Sequence, residues 1–334
     1  MKDWGLSTLN RALPQGAKMA KLQRNSMTSD DPIQSEGAQL QAFLAELESE
    51  HGIKEIAGWE TGFANLSRAL NGIRPGLHLL IGAPAIGKTS FAKQLLDQVA
   101  IHNRTPGIFF TFAETKKELR IKTLARLSGL ENREIRRGSA YLLHWYGVPK
   151  AQHTEIERLP PSWDKLKKSA EEAKTWMDLI YLIECGRDID LRRIEDQIRE
   201  VESIKGTDRV MVVIDDCQRL GNIEQKLTDR VALVVDELQR AAVSLRIPIL
   251  AICPDLREDR ITLPQMWSDR APSADVILVM EIDLERTKKL IEPNQALTLH
   301  IIKNRGGEKG KLAFEFVPAF SKFTEVAPAS TTHV

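Results

Sequence analysis

The chain has 334 residues, 42% of them hydrophobic and 28% charged, with a formal net charge of +1. That length allows one large domain or two small ones with a sizeable core, and the near-neutral balance excludes a polycation that holds nucleic acid through its overall field, so any such contact must come from local patches. No apolar run approaches ~20 residues, the opening Met1-Lys-Asp-Trp-Gly lacks a signal pattern, and Cys185, Cys217 and Cys253 have no metal spacing, so we expect a soluble cytoplasmic protein with reduced thiols and no membrane partner.

Residues 1–35 are polar and aperiodic, and we read them as a disordered tether. Leu40, Phe43, Leu44 and Leu47 then recur at i, i+3, i+4 and i+7. This predicts a short amphipathic helix over 38–50, within a linker spanning 36–55. From residue 56 to 325 apolar runs alternate with amphipathic segments, which predicts an α/β domain with a mainly parallel sheet flanked by helices. The strands expected are Leu77–Ile81, Ile108–Ala113, Leu179–Glu184, Val210–Ile214, Pro248–Cys253, Val276–Met280 and Leu297–Ile302. Helical stripes appear at Phe91, Leu95, Leu96 and Val99, at Leu191, Ile194, Ile198 and Val201, and at Val231, Val234, Leu238 and Leu245. The stretch 137–161 breaks the rhythm with Tyr141, His144, Trp145 and Tyr146 among basic residues. The tail after Phe323, residues 326–334 above all, is Pro/Ala/Ser/Thr-rich and expected to fray.

One stretch carries chemistry on its face. Gly82-Ala83-Pro84-Ala85-Ile86-Gly87-Lys88-Thr89 fits GxxxxGK[ST] in full, followed by Ser90, with a strand before it and a helix after it. Glycines let the backbone curl so that successive N–H groups face phosphate oxygens, and the helix N-terminus adds partial positive charge. Lys88 would reach the β- and γ-phosphates of ATP, and the Thr89 hydroxyl would ligate Mg²⁺.

Hydrolysis needs acids as well. Val210-Met-Val-Val-Ile-Asp215-Asp216 is an apolar strand ending in carboxylates, which in an open α/β sheet face the ligand crevice. Asp215 is the expected metal-associated acid. Glu114, the acid at the end of the Ile108–Ala113 strand, is the expected group that polarises the attacking water, with Asp216 as its rival.

Together with Thr61-Gly-Phe-Ala-Asn-Leu66, Leu124-Ala-Arg-Leu-Ser-Gly129, Gln218, Pro248-Ile-Leu-Ala251, Ala274-Asp275 and Lys303-Asn-Arg305, these segments resemble the C-terminal, RecA-like motor domain of DnaB-type replicative helicases. The resemblance runs from about Thr61 to Phe323. It implies a RecA-like P-loop ATPase, a ring-shaped homo-hexamer acting on single-stranded DNA, and ATP sites shared between subunits. It also implies that Lys303 and Arg305 reach the γ-phosphate of an adjacent subunit, and that the 38–50 helix docks on a neighbour. Without the resemblance, Lys303 and Arg305 read as a solvated basic hairpin.

The pattern departs from the family in three places. Residues 1–35 are too polar to replace the collar that engages primase. Cys253 is followed by Pro254 where the family carries a glutamine, although Gln218 could contribute from the neighbouring strand. Residues 137–161 resemble an insertion of about twenty residues. DNA contacts are expected by topology at Lys226, Arg230, Arg257, Arg260 and Arg270, with Trp267 as a stacking or packing residue. Two other functions stay open: a KaiC- or RadA-like ATPase that remodels a DNA-associated complex without unwinding, and a nucleotide-dependent recruitment module. Partners that fit a motor lacking the collar are a specialised primase, a loader, or a mobile-element or defence system.

Overall fold

Six strands run in one direction through the middle of the protein: β1 (Gly76–Gly82), β2 (Gly107–Thr111), β3 (Ile180–Glu184), β4 (Met211–Asp215), β5 (Pro248–Pro254) and β6 (Val276–Ile282). β7 (Gln295–Asn304), β8 (Gly310–Val317) and β9 (Lys322–Val326) follow as an antiparallel meander. The order across the nine-stranded sheet is β3-β2-β4-β5-β1-β6-β7-β8-β9. This computed structural model describes residues 56–137, 161–186, 189–221, 225–255 and 271–326, with isolated positions between 35 and 45.

The helices are α1 (Ala64–Leu70), α2 (Lys88–Asn103), α3 (Lys116–Ser128), α4 (Asn132–Arg137), α5 (Pro161–Met177), α6 (Leu191–Lys205), α7 (Leu227–Leu245) and the short α8 (Leu284–Thr287). β1, β2 and β4 are buried along their whole length because both sheet faces are covered. Alternate residues serve opposite cores. Leu77, Leu79 and Ile81 of β1 join Ile194, Ile198, Val234 and Leu238 of α6 and α7. Leu80, with Phe109 and Val213, joins Leu66, Phe91 and Leu95 of α1 and α2. Sequence rules also end the helices. Asp190 accepts from Arg193 N (2.8 Å) to start α6, and Gly206 at φ 63 stops it.

The mainly parallel sheet agrees with expectation, and each of the seven expected strands overlaps an observed one. β2 stops at Thr111, not Ala113, because the chain turns there: Thr111 Oγ1 accepts from Glu114 N (3.0 Å) and donates to Glu114 O (2.8 Å). β8 and β9 were not expected. β9 overturns the frayed tail as far as Val326, which pairs with Ala313. The Glu325 carboxylate explains why this end is held: it accepts from Asn65 N and Leu66 N at 2.9 and 2.8 Å, filling the N-terminus of α1 with charge of the favourable sign.

The chain divides into two units, Met1–Gly52 and Ile53–Val334. In the first, Gly37, Leu40, Gln41, Leu44 and Ala45 are helical, and Leu40 and Leu44 are exposed. Phe43 and Leu47 lie outside the described residues, as do Tyr141, His144, Trp145, Tyr146 and the rest of 138–160. Among the described residues no helix is long and apolar enough to cross a membrane.

The meander matters to the rest of the molecule through an aromatic layer. Phe91 of α2 meets Phe314 and Phe323 edge-on at 5.6 and 5.2 Å, and Phe316 stacks on Phe323 at 4.3 Å. Such pairs add to the free energy of burying the rings. Phe323→Ala is expected to lower stability by about 3–5 kcal/mol, read as a shifted urea midpoint. An unchanged midpoint would show that the layer is dispensable.

Candidate active site

The phosphate-binding pattern lies where β1 passes into α2. Gly82 ends the strand, residues 83–87 form the turn, and α2 opens at Lys88. Ala85 and Gly87 take positive φ, 61° and 99°. At Gly87 only glycine fits, because a Cβ would stand 2.9 Å from Phe316 and 3.0 Å from Phe323. The meander is therefore the floor of the loop. Ile86 is buried beneath it. The Lys88 ammonium donates to the carbonyls of Gly82 (2.7 Å) and Ala83 (2.9 Å). Burial lowers its pKa, opposed by Asp216, Asp215 and Asp255.

Parallel pairing brings the acids to the same edge. β1 joins β5 in register up to Gly82–Pro254, and β4 and β2 pair so that Thr111 stands beside Asp215. Asp215 is 3% exposed and accepts a hydrogen bond from the Thr89 side chain. Burial first, with the neighbouring acids Asp216 and Glu114, pushes its carboxyl up to about 6, against the pull of Thr89 and Lys88. Glu114 sits three residues beyond β2, with Oε1 3.1 Å from the Lys122 ammonium of α3. Lys122 also donates to Ser90 Oγ at 3.1 Å.

Two carboxylate oxygens here, Asp215 Oδ2 and Glu114 Oε2, are buried with no hydrogen-bond partner. Buried acceptors of this kind mark where a donor or a cation belongs. Among the described residues no three His, Cys, Asp or Glu side chains converge as a metal centre.

The rival acid has another task. Asp216 caps the short 3₁₀ turn Cys217–Arg219 and bonds the Gln218 side chain, and burial raises its pKa. Gln218 is thereby tied to the acid strand. Cys217 and Cys253 meet with Sγ atoms 2.8 Å apart. That contact, with burial, holds the Cys217 thiol well above its usual pKa, as in an inert thiol. Pro254 closes β5 opposite Gly82.

Lys303 and Arg305 are not brought to this edge. β6 runs parallel to β1, pairing His78 with Val276, and β7 returns antiparallel, pairing Val276 with Asn304 and Ile277 with Lys303. The basic pair therefore lies at the opposite end of the sheet. Lys303 donates to Pro272 O (2.6 Å), and Arg305, 62% exposed, pairs with Asp275 at 3.2 Å. Of the expected DNA contacts, Lys226 is exposed at the start of α7. Arg230 lies one turn on, half-buried, with its stem against Gly221 and its Nε without a hydrogen-bond partner. Arg257, Arg260, Arg270 and Trp267 lie outside the described residues.

A family profile described as the DnaB-like helicase C-terminal domain matches residues 58–325. The chain belongs to that family. A curated relative, the replicative DNA helicase DnaB of Leifsonia xyli, is 24% identical over 293 residues, covering 84% of this chain and 58% of the relative, so the chain spans little more than half of that protein. A separately solved ATPase domain superposes with a TM-score of 0.68 at 20% identity, covering 89% of this chain and all of that one. A DnaB-like replicative helicase, solved in a study of its interactions with primase, gives a TM-score of 0.67 at 19% identity, covering 88% of this chain and 69% of that one. These likenesses establish that the chain shares the fold of those two structures.

Sequence reasoning missed Lys122 and the Phe316–Phe323 floor. Lys122 is one of three lysines on its amphipathic helix, and nothing in its spacing singles it out. The floor had a signal, since Leu312, Phe314 and Phe316 alternate as a half-buried strand does.

The crowding around Asp215 has a measurable cost. An aspartate starts from 3.8, and here it rises to about 6. The folded state binds this proton more tightly, so stability falls as pH rises from about 4 to about 6 and the loss is complete above that. Asp215→Asn removes the charge. Its melting temperature should exceed wild type at pH 7.5, by the equivalent of at most about 3 kcal/mol, and the gain should vanish towards pH 4. A variant no more stable than wild type at pH 7.5 would contradict the crowding.

Proposed function

We propose that this chain is an ATP-hydrolysing motor of the DnaB type that acts on single-stranded DNA as a ring of identical subunits. The observation that carries the reading is the separation of its cations. Lys88 stands with Thr89, Asp215 and Glu114 at the carboxyl edge of the sheet, while Lys303 and Arg305 stand at the amino edge. From the level of Asn304 and His78 to Gly82 is four residues of strand, about 13 Å, and β7 lies two strands away from β1. That is beyond the reach of an arginine within one chain, so the exposed Arg305 would serve a second copy.

In this reading the loop N–H groups and Lys88 hold the phosphates, with Lys88 exchanging the Gly82 and Ala83 carbonyls for phosphate oxygens. Thr89 and Asp215 would hold Mg²⁺, which when bound neutralises charge on the phosphates. Glu114 Oε2 orients the attacking water and takes its proton. Arg305, whose side chain is exposed and paired with Asp275 on its own chain, leaves that partner for the γ-phosphate of the neighbouring subunit. Lys226 and Arg230 would contact the DNA backbone.

Pro254 favours a second reading, a remodelling ATPase without unwinding. The position opposite Gly82 offers no N–H and no polar side chain through which γ-phosphate state could pass to the DNA side. The deciding assay is ATP turnover with and without single-stranded DNA, run beside strand displacement on a forked duplex. Stimulated turnover with displacement supports the motor. Turnover without displacement supports the remodeller, and binding without turnover overturns both.

Glu114→Gln is expected to keep ATP affinity and lose at least about a hundredfold in turnover, the scale of one general base. Normal turnover would move the role to Asp216. Arg305→Ala alone is expected to be inactive, while mixtures with Lys88→Ala subunits should recover part of the activity, since some interfaces then carry an intact loop and an intact finger. No recovery in assembled mixtures would exclude action in trans.

A further inference from the structure

We infer that Lys122 is a positioning residue for Glu114, fixing which carboxylate oxygen is free to act and tying that oxygen to the phosphate-loop helix. The proposal rests on the ATPase reading above and adds a residue that the sequence pattern does not single out.

The Lys122 ammonium touches two groups from two different elements. It lies 3.1 Å from Glu114 Oε1, beyond the end of β2, and 3.1 Å from Ser90 Oγ, next to Thr89 at the start of α2. Its side chain is 18% exposed and that of Glu114 28%, so the pair is shielded more than a surface ion pair. The hold is one-sided. Oε1 is engaged, whereas Oε2 is buried without a partner. A carboxylate rotates easily about its last torsion, and a cation on one oxygen removes that freedom. The other oxygen is left as the acceptor.

The perch of Lys122 is itself rigid. α3 is joined to α2 by a buried polar seam: Lys93 donates to Thr123 Oγ1 (2.8 Å) and pairs with Asp97, Thr123 donates to Asp97 (2.8 Å), and Arg126 pairs with Asp97. Ser90, Lys93 and Asp97 fall one turn apart along α2, facing Lys122, Thr123 and Arg126 on α3. Thr111 holds the Glu114 backbone from below, and Thr115 starts α3 by accepting from Glu118 N. The loop, the acid and the lysine thus form one body. A shift of α2 on phosphate binding would carry the acid with it, which is what a water-orienting group needs if its alignment is to follow the γ-phosphate.

The test uses the full chain with Mg²⁺-ATP. Lys122→Met keeps length and helix preference and removes the charge. It is expected to lower kcat at least about tenfold with KM for ATP changed less than about threefold, the pattern of an interaction used in the transition state. Lys122→Arg, which keeps a cation, should recover most of that loss. In the Glu114→Gln background Lys122→Met should change single-turnover hydrolysis by less than about twofold, since its effect passes through the carboxylate. Thermal melting of each variant checks folding. Wild-type kcat in Lys122→Met, a loss of ATP affinity that matches the loss of turnover, or an additive loss in the Glu114→Gln background would each overturn the proposal. A wild-type chain that binds ATP without hydrolysing it overturns the ATPase reading itself, whatever the variants do.

Discussion

Backbone pairing between β1 and β5 runs in register from Gly76–Pro248 to Gly82–Pro254, and β1 pairs β6 in the same sense. Parallel pairing of this kind leaves each strand only one edge at which to end. Every loop that leaves a carboxyl end therefore emerges on the same side, and the phosphate loop, Glu114 and Asp215 meet there without being near in sequence. β7 runs back antiparallel to β6, so its end lies on the other side and carries Lys303 and Arg305 with it. Strand direction thus separates the edge that holds Lys88 from the edge that holds Lys303 and Arg305.

The acid edge is electrostatically costly. Asp215 and Asp216 crowd around Lys88, with Glu114 acting on Asp215, and burial drives both aspartates towards protonation. A core built only for stability would not keep them, because buried like charges are opposed by desolvation and by each other. What offsets them nearby is a set of specific donors, namely Thr89 on Asp215, Gln218 on Asp216 and Lys122 on Glu114. This arrangement suits a site that becomes comfortable once further positive charge arrives.

Much of the fold was legible because it rests on short-range signals. Leu77–Ile81 and Val210–Ile214 read as buried strands because continuous apolar runs between helices require cover on both faces. The phosphate loop was legible because glycine and lysine spacing is dictated by phosphate geometry. Other features depend on partners distant in sequence. Lys122 gains meaning only when α3 is laid against α2, and the packing at Gly87 only when Phe323 arrives. The end of β2 was misplaced by two residues because the Thr111 hydroxyl competes with the ladder for the backbone of Glu114. The role of Asp216 as a cap depends on the 3₁₀ turn that follows it, a tertiary detail that an Asp-Asp dipeptide does not display.

The floor of the phosphate loop has a consequence for the order of events during synthesis. Gln94 of α2 exchanges two hydrogen bonds with the backbone of Phe323, 229 residues further along the chain. Phe323 and Phe316 then close beneath Gly87. A chain still leaving the ribosome has made its whole glycine-rich turn long before the strands that support it exist. The sheet can grow around β1 in the meantime, but the nucleotide pocket takes its finished shape only after β9 has been released and zipped onto β8. Pairings of such long separation form late, because loop closure must precede them. The glycine-rich turn therefore lacks its floor until translation is nearly done.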